Sequence, residues 1–117
     1  MKVSYETHFK DNRVVLRLEI SNDEKGIIWI NKIEFDVTPI DDYKISCPEK
    51  FRPSKMSCVA LGQGVIILPG KTEVLEFKIH KGDQIEFIRI RIHYVDSNRK
   101  PRQVTYPVSV RIQTLSI

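Results

Sequence analysis

The chain has 117 residues, of which 41% are hydrophobic and 29% are charged, and its formal net charge is +4. This apolar content excludes a disordered chain, and the length leaves room for a single domain, which we expect to span residues 1–117. The mild excess of cations falls short of the concentrated basic stripe of a dedicated nucleic-acid binder, and its commonest meaning is solubility.

No targeting or membrane segment is evident in the sequence. Strand-like sequence begins directly after Met1, without the charged, apolar and small-residue regions of a signal peptide. No apolar run approaches the roughly 20 residues that would span a bilayer. We therefore expect a cytoplasmic protein or a piece of a larger one. Its use of isoleucine, lysine and glutamate, with few amides, is typical of thermophiles.

Two strands with a strict period of two open the chain. In residues 1–9, Val3, Tyr5, Thr7 and Phe9 alternate with polar residues, as in a pleated strand with one buried face. Because polar residues fill its other face, we expect this strand at a sheet edge. Residues 14–20 predict a second strand of the same kind, in which Val15 is an apolar residue on the polar phase.

A longer strand is predicted over residues 27–37. One phase carries an apolar series with a single polar member, Asn31, and the series ends at Pro39. Its apolar members are Ile27, Trp29, Ile33, Phe35 and Val37. Ile28 and Ile30 fall on the other, nominally polar phase, so the first half of this strand is apolar on both faces. This pattern is typical of a strand that is central in its sheet or covered by a loop, or of an exposed interface. Together with Val15, Ile28 and Ile30 are predicted to form an apolar interface.

The segment of residues 40–64 is irregular and contains Cys47 and Cys58, the two cysteines of the chain. It predicts short edge strands and meandering connections, because no helical period survives its prolines. The cysteine spacing is not that of a zinc site. The segment between them is long enough to fold back, so the sequence leaves both a disulfide and free thiols open.

The last part of the chain predicts a closing β-hairpin. Short strands over residues 65–68 and 75–79 precede it, and its own strands are residues 85–95 and 104–112. A phase shift ahead of Ile88 predicts a β-bulge. These elements predict an all-β, immunoglobulin-like antiparallel β-sandwich of about seven to nine strands.

The order of these elements resembles a known group of domains. Asn22 and Gly26 follow the second strand, and Leu68, Pro69 and Gly70 precede a later one. This layout is similar to the immunoglobulin-like sandwiches of the cell-adhesion-related (CARDB-like) type and to the appendage and arrestin-like sandwiches of trafficking adaptors. The resemblance implies an immunoglobulin-like fold and a non-catalytic binding role, without naming a partner.

No arrangement of residues indicates an enzyme. His8, His80 and His93 lie on the polar phases of predicted strands, where exposed histidines are the ordinary expectation. Hydrolase, phosphate-loop and dinucleotide motifs are absent from the sequence. Asp41 and Asp42 lack the spacing of a calcium loop. We therefore predict no catalytic residue, no metal site, no cofactor and no small-molecule substrate.

The predicted hairpin carries a set of basic residues on its polar phases and at its tip. The set is Arg89, Arg91, Arg99, Lys100, Arg102 and Arg111. Such a strip could bind nucleic-acid phosphates or an acidic protein. Against nucleic acid, the face lacks the interleaved aromatic residues on which bases stack. The alternative interpretation is a solvated face with Glu76 and Glu86 nearby as acidic cross-strand partners.

From the sequence we predict a non-catalytic protein-interaction or assembly module. Its partner is a protein or a second copy of the chain, docked on the basic set, on the apolar set or on an open sheet edge. A nucleic-acid-binding accessory protein that uses the basic hairpin is the alternative.

Overall fold

In the computed structural model, the described residues are 1–10, 13–38, 43–81 and 87–108, and they form ten β-strands and no helix. In chain order the strands are β1 (Lys2–Lys10), β2 (Arg13–Ser21), β3 (Ile28–Thr38), β4 (Tyr43–Ser46), β5 (Phe51–Ser54), β6 (Ser57–Ala60), β7 (Val65–Ile67), β8 (Thr72–Lys81), β9 (Phe87–Val95) and β10 (Pro101–Val108). The all-β class is confirmed. The short strand β5, which the sequence pattern did not predict, brings the count above nine.

The strands form two antiparallel sheets. Sheet A has the order β1-β2-β8-β4, and sheet B has the order β10-β9-β3-β6-β5, with β7 beside β3. β1 pairs with β2 over its whole length and lies at the edge of sheet A, so the predicted edge position is confirmed. Within the described residues, no helix is long and apolar enough to cross a membrane.

The core lies between the sheets and is built by alternate residues of the long strands. In β2, every second residue from Val14 to Ile20 is buried, as its alternation predicted. Phe77 of β8 packs edge-on against Phe35 of β3 and Phe51 of β5, with ring centroids 5.2 and 6.3 Å apart. β8 therefore lies over the half of sheet B that contains β3 and β5.

A disulfide between Cys47 and Cys58 joins the two sheets. Cys47 directly follows β4 at one edge of sheet A, and Cys58 belongs to β6 near one edge of sheet B. Of the two states that the sequence left open, the structure has the bonded one. β1 and β10 are the end strands on the other side of sheet A and sheet B, so they lie at the side of the sandwich opposite the disulfide.

The closing hairpin pairs β9 with β10, with Val104 opposite Ile92 and Val108 opposite Ile88. The second strand begins at Pro101, three residues earlier than its alternation predicted.

The phase shift that predicted a bulge lies between the series of Ile85 and Phe87 and the series that starts at Ile88. Phe87 and Ile88 pair with Thr38 and Val37 in one continuous register, so no bulge separates these two residues. Residues 85 and 86 lie outside the described residues, as do residues 109–112.

Candidate interaction surface

A β-bulge at Asn31 decides which side chains of β3 face the core. The pairing of β3 with β9 passes from Ile30–Tyr94 directly to Lys32–His93, so Asn31 has no partner on β9. An extra residue in one strand reverses the inward and outward alternation beyond it. The core-facing residues before and after the bulge therefore come from opposite phases of the sequence.

This bulge corrects the predicted apolar interface. Ile28 and Ile30 are 0% exposed, because the alternation that placed them outside does not continue through Asn31. The prediction that they form an interface is wrong. Val15, the third member of that set, is half-buried on β2 and lies opposite His8 and Lys78, away from sheet B.

Trp29 instead lies in a row of apolar side chains on the outer face of sheet B. Trp29 pairs with Ile66 of β7 on one side and with Val95 of β9 on the other, and Val95 pairs with Pro101 of β10. Directly paired residues of a sheet project from the same face. With neighbouring strands about 4.8 Å apart, this row spans roughly 14 Å.

The row is accessible to solvent. Ile66 is 52% exposed, and Leu68, two residues further along the same phase, is 51% exposed. Pro101 is exposed, and Trp29 and Val95 are half-buried. We call these five residues the Trp29 patch. A contiguous apolar surface with polar surroundings is typical of interaction sites.

Hydrogen bonds hold the loops beside the Trp29 patch together. The amide of buried Asn22 donates to the carbonyl oxygens of Gly26 and Ile67, at 2.9 and 2.8 Å. The carboxylate of Glu24 accepts hydrogen bonds from the backbone N–H and the hydroxyl of Ser97, at 3.1 and 2.7 Å. The β2–β3 loop is thereby tied to β7 and to the tip of the closing hairpin.

The other carboxylates at this end of the sandwich are also engaged within it. Asp96 accepts hydrogen bonds from Arg102 Nε and from the backbone N–H groups of Asn98 and Lys100, each at 2.9 Å. The bond from Arg102, followed by the backbone bonds, holds the pKa of Asp96 below its ordinary value. Asp23 accepts a hydrogen bond from the N-terminal amine, which lowers its pKa.

Cations at the same end remain exposed. They lie in the β2–β3 loop, in the β7–β8 turn and at the hairpin tip, and they are Lys25, Lys71, Arg99 and Lys100. We call these four residues the basic rim. Together with Arg102 and the N-terminal amine, the basic rim outnumbers the carboxylates of Asp23, Glu24 and Asp96, so this end of the sandwich carries net positive charge beside the Trp29 patch.

The predicted basic set lies in separate environments. Arg89 and Arg91 are on the outer face of β9, directly opposite Asp36 and Glu34 of β3. These acidic neighbours are not Glu76 and Glu86, which the solvated-face interpretation named: Glu76 lies opposite Arg17 in sheet A, and Glu86 lies outside the described residues. Polyanion binding by Arg89 and Arg91 stays a prediction.

Of the other four residues of the predicted basic set, three lie at the hairpin tip and one lies outside the described residues. Arg102 is bound to Asp96, whereas Arg99 and Lys100 belong to the basic rim. Arg111 lies outside the described residues.

Glu34 also contacts a second residue of β9, diagonal to it in the sheet. Its carboxylate contacts Nε2 of His93, and Lys32 Nζ lies 3.8 Å away. Partial burial opposes ionisation, but the contact with His93 and the nearby cations outweigh it and lower the pKa of Glu34. A shallow depression of about 180 Å³ adjoins this network and is lined by Glu34, Phe35, Asp36, Lys55, Met56, Arg89 and Arg91.

Two of the histidines each lie beside one carboxylate. His8 lies 3.9 Å from Glu6 on β1, and His93 contacts Glu34 on β3. Among the described residues, no group of three or more histidine, cysteine or acidic side chains is placed to hold a metal ion. Asp41 and Asp42 are outside those residues.

The fold is similar to that of an adaptor appendage domain. The chain matches the GAE domain of GGA2p from Saccharomyces cerevisiae with a TM-score of 0.53 and 12% sequence identity, over 93% of this chain and 86% of that chain. The likeness concerns the fold, and with the two antiparallel sheets it supports the predicted immunoglobulin-like sandwich. No protein-family model and no curated protein matches the sequence.

Sequence reasoning missed the Trp29 patch because it placed Trp29 in the core. One signal could have located the bulge: Asn31 is the polar member of an otherwise apolar phase, and apolar residues occupy both phases only before it. Gly64 marks the same place in the structure, because a Cβ there would lie 2.9 Å from the Asn31 side chain and from the Ile30 carbonyl oxygen. Because Gly64 is distant from Ile30 and Asn31 in sequence, the sequence alone does not show that it lies beside them.

Proposed function

We propose that this protein is a non-catalytic protein-interaction module that binds an acidic segment of a partner protein on the Trp29 patch. The observation that carries the proposal is the apolar row across β7, β3, β9 and β10 with Trp29 at its centre. Tryptophan is enriched among the residues that dominate binding energy in protein interfaces. The likeness to the GAE domain supports the sandwich fold that carries this surface.

The location of the patch on paired strands favours tight binding. Strand pairing fixes the backbone that carries these side chains, so less of the interaction energy is spent on ordering the chain when a partner docks. The hydrogen bonds of Asn22 and Glu24 hold the adjoining loops in the same way. The binding surface is therefore preorganised in the free protein.

Charge indicates the chemistry of the partner. The basic rim borders the Trp29 patch, and the neighbouring carboxylates of Glu24 and Asp96 already accept hydrogen bonds within the chain. A partner with acidic residues flanking an aromatic or aliphatic anchor complements both surfaces. The anchor would pack on Trp29, and the acidic residues would steer association.

The experiment uses synthetic 12-residue peptides without tryptophan, each with a central Phe or Leu pair flanked by Asp and Glu. In control peptides, Asn and Gln replace the acidic residues. Trp29 is the one tryptophan of the chain, so its fluorescence reports binding directly. We expect acidic peptides to bind, with affinity falling as salt rises, and the control peptides to bind at least tenfold more weakly.

Variants of the protein test the position of the site by calorimetry. We expect Trp29→Ala to weaken binding by about 30-fold or more, as for a central interface residue, and Ile66→Ser by a smaller factor. Val74→Ser is the matched control, because Val74 is 46% exposed on β8 of the other sheet. Equal affinity of wild type and Trp29→Ala, or a loss caused by Val74→Ser alone, would refute the proposed site.

A further inference from the structure

The edge of sheet A formed by β1 differs from the other outer strands. β1 is nine residues long and contains no proline, and among the described residues it pairs with β2 alone. β4 and β5 have four residues each, and β10 carries Pro101 and Pro107. Short strands and prolines protect sheet edges from pairing with other chains, and β1 has neither.

Charges on the outer face of sheet A form an alternating row that ends at β1. Glu76 of β8 lies opposite Arg17 of β2, and Arg17 lies opposite Glu6 of β1. All three side chains are exposed. Because opposite charges in directly paired positions stabilise a sheet, the next strand in this row should place a cation beside Glu6.

We propose that β1 pairs antiparallel with β1 of a second copy of this chain, with Ser4 facing Ser4 at the centre. This register places Lys2 of each copy opposite Glu6 of the other, so it continues the charge row of both copies. It also pairs Val3, which is half-buried, with Tyr5, which is 40% exposed. Two ion pairs and two apolar pairs follow from one two-fold axis.

The neighbouring registers are less favourable. In any register of this dimer, core-facing residues must pair with core-facing residues. The two-fold axis therefore lies between two copies of the same residue of β1, and the next residues after Ser4 are Tyr5 and Glu6. With Tyr5 at the centre, Lys2 faces His8, and Glu6 loses a charged partner. With Glu6 at the centre, Glu6 faces Glu6, and Lys2 faces Lys10. Like charges in directly opposed positions are destabilising, and the Ser4 register avoids them.

This dimer would join two copies of sheet A into one continuous sheet. The Trp29 patch is on the outer face of sheet B, so it stays accessible in the dimer. The inference therefore goes beyond the proposed function, and either can fail without the other. Variants of β1 leave the Trp29 patch unchanged, which keeps the two tests separate.

Sedimentation velocity of the full chain at concentrations up to about 1 mM tests the proposal. We expect a concentration-dependent dimer, and we expect Glu6→Lys and Lys2→Glu each to raise its dissociation constant about tenfold or more, since each places like charges opposite each other twice. A mixture of the two variants restores opposite charges at both positions, so we expect a heterodimer with affinity close to that of the wild type.

The matched control is Glu49→Lys, which makes the same change of charge at an exposed residue outside the strands. It should leave the dimer unchanged, and circular dichroism of all variants checks that they fold. A chain that stays monomeric at about 1 mM overturns the proposal. So does a dimer that neither β1 variant weakens, or a mixture that stays as weak as its components.

Discussion

Truncation of Ile30 and of Ile66 to alanine compares the two faces of sheet B. These isoleucines come from neighbouring strands, β3 and β7, and their environments differ because of the bulge at Asn31. Ile30 is 0% exposed in the core, and Ile66 is 52% exposed on the Trp29 patch. Strict alternation through β3 would instead place Ile30 on the surface.

The structure sets the expected size of each effect. Isoleucine has three more carbon atoms than alanine, and at about 0.8 kcal/mol for each buried carbon the lost burial at Ile30 costs about 2.4 kcal/mol. The cavity left in the core raises this to about 3–4 kcal/mol. At Ile66 only about half of the side chain is buried and no cavity forms, so the cost is about 1 kcal/mol.

Urea unfolding measures both variants, followed by Trp29 fluorescence and by circular dichroism, in oxidising buffer that preserves the disulfide. The expected difference in unfolding free energy is about 2–3 kcal/mol, which corresponds to a midpoint about 1 M or more lower for Ile30→Ala. Equal losses for the two variants, or a larger loss for Ile66→Ala, would show that the assignment of the faces is wrong.

Reduction of the Cys47–Cys58 disulfide should lower the unfolding free energy by about 3 kcal/mol, the loop-entropy value for a sequence separation of 11, with urea unfolding in dithiothreitol as the measurement. An unchanged midpoint would contradict it. Asp96→Asn should lower the melting temperature above about pH 4, and less so in stronger acid, because the folded-state pKa is depressed and its contribution is lost as pH falls through that pKa. A pH-independent difference would argue against this role. Duplex DNA should bind only weakly and with strong salt dependence in fluorescence anisotropy. A submicromolar affinity abolished by Arg99→Glu combined with Lys100→Glu would favour a nucleic-acid function instead.

Local alternation predicted most of the strands and their class. The buried positions of β2 follow from a period of two that each residue shows with its immediate neighbours, and such a pattern needs no knowledge of other strands. The pairing of β9 with β10 was predictable for the same reason, together with the turn residues between them.

The candidate site was less predictable, because it depends on pairings between distant parts of the chain. Trp29 lies on the outer face of sheet B because Asn31 has no partner on β9. Its neighbour Ile66 belongs to β7, a strand of only three residues. The exposed cations of the hairpin tip were identified from sequence, but their position beside the Trp29 patch was not. That position depends on hydrogen bonds such as the one from Ser97 to Glu24.

The amino-acid sequence alone determined that this chain forms antiparallel strands with a shared apolar interior, because alternation is a property of adjacent residues. Tertiary structure decided which phase of β3 faces the core. Asn31 has no partner on β9, and this extra residue reverses the inward and outward faces of the strand, which only the register with β9 shows. It also decided that Cys47 and Cys58 are bonded, because their separation depends on how the two sheets pack.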